Sequence, residues 1–247
     1  MLMAVRFKSP GPIPPLLACC CSLLTTAVLI LPLPATHQCA QFTHDPHQSH
    51  ATAVKSIIWY LKDTQTKGLV CTPPPNFALD CYVDTNFAGL WNAEDQDEPV
   101  SVKSRTGLVI MLSGCPLVWQ SKHQRLIALS TMEAEYVALS TSMHDLIPLH
   151  QLVEEVAIAL KCDAQFIVQT HSTVFEDNNI ALALANLPHL TPCSKHISVW
   201  MHWFQEHIQK GDVQVVKVHT NFQVADIFTK GLAKEPYERI RKLLMAW

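Results

Sequence analysis

The stretch F-A-L-D-C-Y-V-D (77–84) decides the fold. It alternates as a β-strand does, and it ends on Asp84, a carboxylate inside a run that otherwise suits a core. Downstream, Thr106 to Ser113 and Cys115 to Gln120 read as two further strands around a Ser-Gly-Cys-Pro turn. Thr131 to Leu160 has the pattern of a long amphipathic helix, with Pro148 as a point for a kink. Phe166 to Phe175 reads as a strand, Asn179 to Asn186 as a short helix and Ser194 to Lys210 as a longer one. After the Gly211-Asp212 turn, Val213 to His219 reads as a strand, and Val224 to the C-terminus as helical. The order β-β-β-α-β-α-α-β-α is that of an α/β domain, a mixed sheet with helices on its faces.

Four carboxylates fall where this pattern has no packing use for them. Asp84 ends the first strand, Glu135 lies in the first turns of the long helix, Asp177 follows the strand before the short helix, and Asp226 opens the last helix. Taken singly, Asp84 and Asp177 could be turn or cap residues, and Asp226 could serve a helix N-terminus. The neighbouring acids read differently. Ser130-Thr131-Met132-Glu133 fits a capping box, which gives Glu133 a structural task. Glu176 precedes Asp177 by one residue and is expected on the opposite sheet face.

Taken together, four acids at strand ends and helix starts of one sheet predict a site for hard cations. Magnesium takes a few carboxylates and keeps waters and phosphate oxygens. Two such ions about 4 Å apart clamp the attacking and leaving oxygens of a phosphoryl displacement. Without cations, four clustered negative charges are costly and at least one pKa rises.

Composition bounds the alternatives. The chain has 247 residues, 49% apolar and 16% charged, with a formal charge of −3, so it can bury a core and is not a polybasic binder. Seven Gly against sixteen Pro argues against a glycine-rich phosphate loop. Nine Cys without a repeated C-x-x-C spacing favour reduced, mostly buried thiols in an intracellular compartment over a zinc ribbon or disulfide framework.

Residues 1–34 stand apart: they carry no acid, contain Cys19-Cys20-Cys21, and are uncharged from Pro10 to Pro34. Leu16 to Leu33 is near bilayer-spanning length behind Arg6 and Lys8, the formal pattern of a signal peptide or anchor. Prolines at 10, 12, 14, 15, 32 and 34 work against a single spanning helix. Ser49 to Asp63 has helical spacing of Val54, Ile57, Ile58 and Leu61, and the proline-rich Thr72 to Asn76 reads as a linker.

The chain resembles the C-terminal ribonuclease H region of the Pol polyprotein of copia-type LTR retrotransposons. The resemblance is carried, in family order, by Y-V-D-T-N-F-A-G (82–89), S-R-T-G (104–107), V-W-Q-S-K (118–122), A-L-S-T-M-E-A-E-Y-V-A-L-S (128–140), E-D-N-N-I-A (176–181), S-K-H-I (194–197) and V-A-D-I-F-T-K (224–230). It implies a ribonuclease H-like fold with a mixed five-stranded sheet, and a catalytic metal site of Asp84, Glu135, Asp177 and Asp226 holding two Mg2+ ions, or Mn2+ in their place. The implied activity is endonucleolytic cleavage of the RNA strand of an RNA–DNA hybrid. Lys103, Arg105, Lys122, Lys195 and His196 become candidate hybrid contacts, each with a solvated surface cation as the plain alternative. His219 becomes an auxiliary proton-transfer or product-release group, with a capping histidine as the alternative.

The resemblance also divides the chain: residues 1–34 unassigned, a frameshifted relic of the reverse-transcriptase end or a disordered segment; 35–71 the connection from reverse transcriptase, containing H-Q-C-A-Q-F-T-H-D-P (37–46); 77–235 the ribonuclease H-like domain; and 236–247 a C-terminal helix. Asn86 stands where many relatives carry a second Asp, and Cys193 and Trp200 stand at positions commonly basic in the family. The implied partners are an RNA–DNA hybrid and a reverse transcriptase domain of the parent polyprotein, in the cytoplasm or nucleus, with no membrane. The alternative function is a non-enzymatic relic with residual nucleic-acid binding.

Overall fold

The structure is a computed structural model, and it describes residues 6–7, 33–41, 48–64, 66–71, 78–89, 100–160, 171–179, 182–183 and 205–245. Its centre is a five-stranded sheet. The strands are β3 (Ala78–Asn86), β4 (Arg105–Leu112), β5 (Cys115–His123), β6 (His171–Glu176) and β7 (Val213–Lys217), in spatial order β5-β4-β3-β6-β7. The first three form an antiparallel meander, and β6 and β7 add parallel to β3 and to each other. The expected mixed five-stranded sheet is therefore present.

Two shorter pieces precede it: α1 (Leu33–Gln41) and α2 (Gln48–Asp63). A two-residue strand β1 (Arg6–Phe7) pairs parallel with β2 (Val70–Cys71). The remainder of the apolar stretch from Leu16, up to Pro32, lies outside the described residues. Among the described residues, no helix is long and apolar enough to cross a membrane. Among the described residues, Cys39, Cys71, Cys81 and Cys115 form no disulfide, and the last three are buried.

The helix α3 (Thr131–Ala159) runs through Pro148. Ser130 caps it by accepting from the Glu133 amide, as the capping box predicts, while Glu133 accepts from the Leu129 amide, one residue before the N-cap amide the box would use. Ala138, Leu139, Met143 and Leu146 of α3 are buried in one apolar cluster with Leu79, Cys81 and Val83. The alternation of β3 sends Tyr82 and Asp84 to the other face. That face is covered by the short helix α4 (Asp226–Thr229), with α5 (Lys234–Met245) adding Ile240, Leu244 and Met245 to the core.

One helix was expected from Val224 onward; the structure has two. Lys230 leaves α4 in an extended conformation, and residues 231–233 separate the helices. The break lets α4 lie flat on the sheet while α5 turns to pack its own apolar side.

Candidate active site

The site forms at the end of the sheet where β3 and β6 finish side by side. Tyr82 pairs with Phe175 across these parallel strands, and their rings stack with centroids 4.6 Å apart. Two residues on, Asp84 and Asp177 stand at the same level.

Asp226 reaches this point because α4 lies almost in contact with β4. Asp84 pairs with Gly107 on that strand. A Cβ at Gly107 would stand 2.6 Å from Thr229 Cγ2, 2.8 Å from Phe228 Cβ and 3.0 Å from the Ala225 carbonyl oxygen. Only a residue without a side chain admits the helix this closely. Ser121 then donates to the Phe228 carbonyl at 2.6 Å, and Thr229 Oγ1 donates to Asp84 Oδ2.

Two buried glutamines position the remaining pieces. Gln124 Nε2 donates to the Ala134 carbonyl at 2.8 Å and to the Thr106 hydroxyl at 3.0 Å, which ties the start of α3, and so Glu135, to the sheet. Gln223 Nε2 donates to the Val83 carbonyl at 2.8 Å and the Phe175 carbonyl at 3.3 Å. It bridges β3 and β6 one residue before Asp84 and Glu176. Neither glutamine has a sequence signature; each answers backbone acceptors that only the assembled sheet leaves open.

The four predicted acids come into one electrostatic cluster. Asp84 is 3% exposed, and Glu135 and Asp226 are buried with it, while Asp177 is half-buried at the rim. Burial pushes the Asp84 carboxyl up to about 7; Asp226 and Asp177 add to the rise, and Lys230 and the Thr229 hydroxyl oppose it. Burial pushes Glu135 up to about 9, reinforced by Glu176, Asp84 and Asp177.

Glu176 takes the sheet face opposite Asp177, as its spacing predicts, but it is completely buried there, and among neighbouring charges it acts most strongly on Glu135. Its own carboxyl is pushed up to about 8, chiefly by burial, although the Asn178 amide donates to its Oε1 at 3.0 Å. Because Glu135 comes from the helix on that face, the opposite face at a strand end is still within the site.

Sequence reading also missed Lys230. Its Nζ lies 2.8 Å from Asp226 Oδ1 and 3.7 Å from Asp84 Oδ2. Burial acts to lower its pKa, but Asp84 and Asp226 outweigh burial and hold it above the usual lysine value.

The donor set is all oxygen and strongly anionic, which suits a hard divalent cation. Glu135 Oε2 and Glu176 Oε2 are buried with no hydrogen-bond partner, so ligand capacity is in place. The coordination shell is not drawn together: among the described residues, no three His, Cys, Asp or Glu side chains converge on one point. The ammonium of Lys230 stands between Asp84 and Asp226 instead.

The predicted cations separate. Arg105 is no surface group: it is 6% exposed, donates to Ser121 Oγ at 3.1 Å and meets His123 Nε2 at 2.6 Å. Through Ser121 it braces α4, and it also lines a groove of about 430 Å3 with Asn86, Thr229, Lys230 and Tyr237. Lys122 is exposed and lines a cleft of about 300 Å3 with His123, Arg125 and His144. Lys103 is half-buried in the turn before β4. Lys195 and His196 lie outside the described residues, as do Cys193 and Trp200.

His219 makes a capping contact: its Nδ1 accepts the Asn221 amide at 3.1 Å. The next residue, Thr220, donates to Asp177 Oδ2 at 3.1 Å, so the histidine stands at the rim.

A sheet of this order, three antiparallel strands followed by two parallel ones with helices packed on it, defines a mixed α/β domain, and Asp84, Glu135 and Asp226 are buried where β3 ends. No protein-family model matches the chain. It is 31% identical over 205 residues to the retrovirus-related Pol polyprotein from transposon TNT 1-94 of Nicotiana tabacum, covering 83% of this chain and 14% of that one. It is 29% identical over 204 residues to the Pol polyprotein from transposon RE1 of Arabidopsis thaliana, covering 83% and 13%. Among solved structures it is similar to LC11-RNase H1, isolated from compost, at 16% identity and a TM-score of 0.42, covering 62% of this chain and 92% of that one. Over most of its length the chain is similar to Pol polyproteins of plant transposons, and it spans about one seventh of the length of the first of these relatives.

Proposed function

We propose that this chain is a ribonuclease H that hydrolyses the RNA strand of RNA–DNA hybrids endonucleolytically. The observation that carries the reading is the mutual charge influence of Asp84 with Asp226, Asp177 and Glu135, acids from four separate segments of which three are buried and Asp177 stands half-buried at the rim. These four residues would hold two divalent cations, Mg2+ or Mn2+, which supply charge neutralisation at the phosphate and an activated water.

The chain's own residues set up that chemistry. Gln124 and Gln223 fix the backbone on either side of the acids, and Gly107 lets α4 carry Asp226 to Asp84. Lys122, Lys103 and the groove at Arg105 and Lys230 supply positive charge along which a hybrid backbone lies. His219, next to the Thr220 that donates to Asp177, is the auxiliary group for proton transfer or product release in this reading. The partner is the hybrid itself, with a reverse transcriptase domain in the parent polyprotein, and the setting is the cytoplasm or nucleus where such hybrids arise.

The test is cleavage of an end-labelled RNA–DNA hybrid by the full chain in Mg2+ against Asp84→Asn. Cleavage by the parent and none by the variant supports the reading; equal background in both overturns it. A second reading, a non-enzymatic relic that keeps nucleic-acid binding, is favoured by the unclosed ligand arrangement. It predicts hybrid binding without Mg2+-dependent cleavage.

A further inference from the structure

Lys230 sits in a place that the acid cluster alone does not explain. It follows Asp226 by four residues, leaves α4 in an extended conformation and directs its ammonium between Asp226 and Asp84. Its side chain is 39% exposed, against 4% for Asp84 and 8% for Asp226. The lysine thus has a route to solvent that the acids lack. The groove it lines with Thr229 and Tyr237 gives it space to move.

We propose that Lys230 is a tethered counter-cation that holds Asp84 and Asp226 together in the metal-free protein and competes with a divalent ion for them. This rests on the reading of those acids as metal ligands. Two carboxylates buried side by side repel at low dielectric, and a cation between them removes most of that penalty. A divalent ion binding the same two carboxylates must take the place where Nζ now stands. Binding is therefore an exchange in which the ammonium swings outward into the groove, where it meets the phosphate backbone instead. The exchange lets the domain fold without metal and lowers its affinity for metal in the absence of substrate.

The experiment uses the full chain, stripped of metal, titrated with Mn2+ alone by calorimetry. Lys230→Met is expected to bind Mn2+ roughly tenfold more tightly, the size of one lost competing charge contact, and Lys230→Arg to stay near the parent. Metal-free Lys230→Met is expected to melt lower than the parent and to recover with Mn2+. Unchanged or weaker Mn2+ binding by Lys230→Met overturns the proposal, and so does unchanged Mn2+ affinity with weaker hybrid binding, which makes Lys230 a phosphate contact only. Should the methionine variant not fold, Lys230→Gln and the ammonium 15N signal of the parent carry the test. That signal is expected to move to the free-lysine position on adding Mg2+, and a signal that does not move overturns the proposal. If the parent binds no Mn2+ at all, the two-metal reading fails and the competition with it; if parent and variant bind equally, only the role of Lys230 fails.

Discussion

Gly107 and Phe228 are in direct apposition: a Cβ on the glycine would lie 2.8 Å from the phenylalanine Cβ. Everything the site needs from α4 depends on that approach, since Asp226, Thr229 and Lys230 all ride on the same short turn. Gly107→Ala is therefore expected to lift α4 off β4. Overpacking of this kind costs about 1–3 kcal/mol, and cleavage should fall further than stability does because Asp226 moves away from Asp84. Chemical denaturation alongside the hybrid assay checks this; an alanine variant with parental rate contradicts it.

Gln223→Leu removes the donor that serves the Val83 and Phe175 carbonyls. Each buried acceptor left unserved costs about 1–3 kcal/mol. The expected result is a clear fall in melting temperature together with loss of cleavage, because the strand ends carrying Asp84 and Glu176 are no longer clasped. A parental melting temperature contradicts it.

The metal-free protein should lose stability as pH rises. In the folded chain Asp84, Glu176 and Glu135 hold their protons to about 7, 8 and 9, against ordinary values of 3.8 for Asp and 4.5 for Glu. Between these limits the folded state binds more protons than the unfolded one, so stability declines with pH across that window. Melting temperature measured in chelator from about pH 5 to about pH 9 should fall, and Glu135→Gln should flatten the slope. A flat or rising profile in the parent contradicts it.

Arg105 and Lys122 are expected to part company. Lys122→Ala should leave the melting temperature unchanged and reduce the salt dependence of hybrid binding by about one unit of slope. Arg105→Ala should lower the melting temperature, because the guanidinium meets Ser121 and His123 in the interior. Equal melting temperatures for the two variants contradict the assignment.

Much of this was legible in the residues. Asp84 and Glu135 announce themselves because a carboxylate in an apolar run has no packing reason to be there, and the alternation of strand and helix patterns along the chain gives a mixed α/β sheet without its spatial order. Lys230 carried a usable signal, four residues after Asp226 in a helical stretch, but a lone lysine at the end of a motif reads as solvated. The face of Glu176 was legible but its burial beside Glu135 was not, because strand alternation gives the face and not which helix covers it. Gln124 and Gln223 were invisible because neutral amides serve carbonyls that exist as unmet acceptors only after the strands pair. Arg105 looked like a surface cation because sequence does not reveal that every residue of β4 is buried.

The central claim is that the four acids work as one site. The most direct measurement is the hybrid-cleavage rate in Mg2+ of Asp84→Asn, Glu135→Gln, Asp177→Asn, Asp226→Asn and the Asp84→Asn/Glu135→Gln double variant, each as the full chain. Groups that act as a unit are non-additive, so each single variant should be reduced to background and the double variant no further. Parental cleavage by any of the single variants would contradict the account.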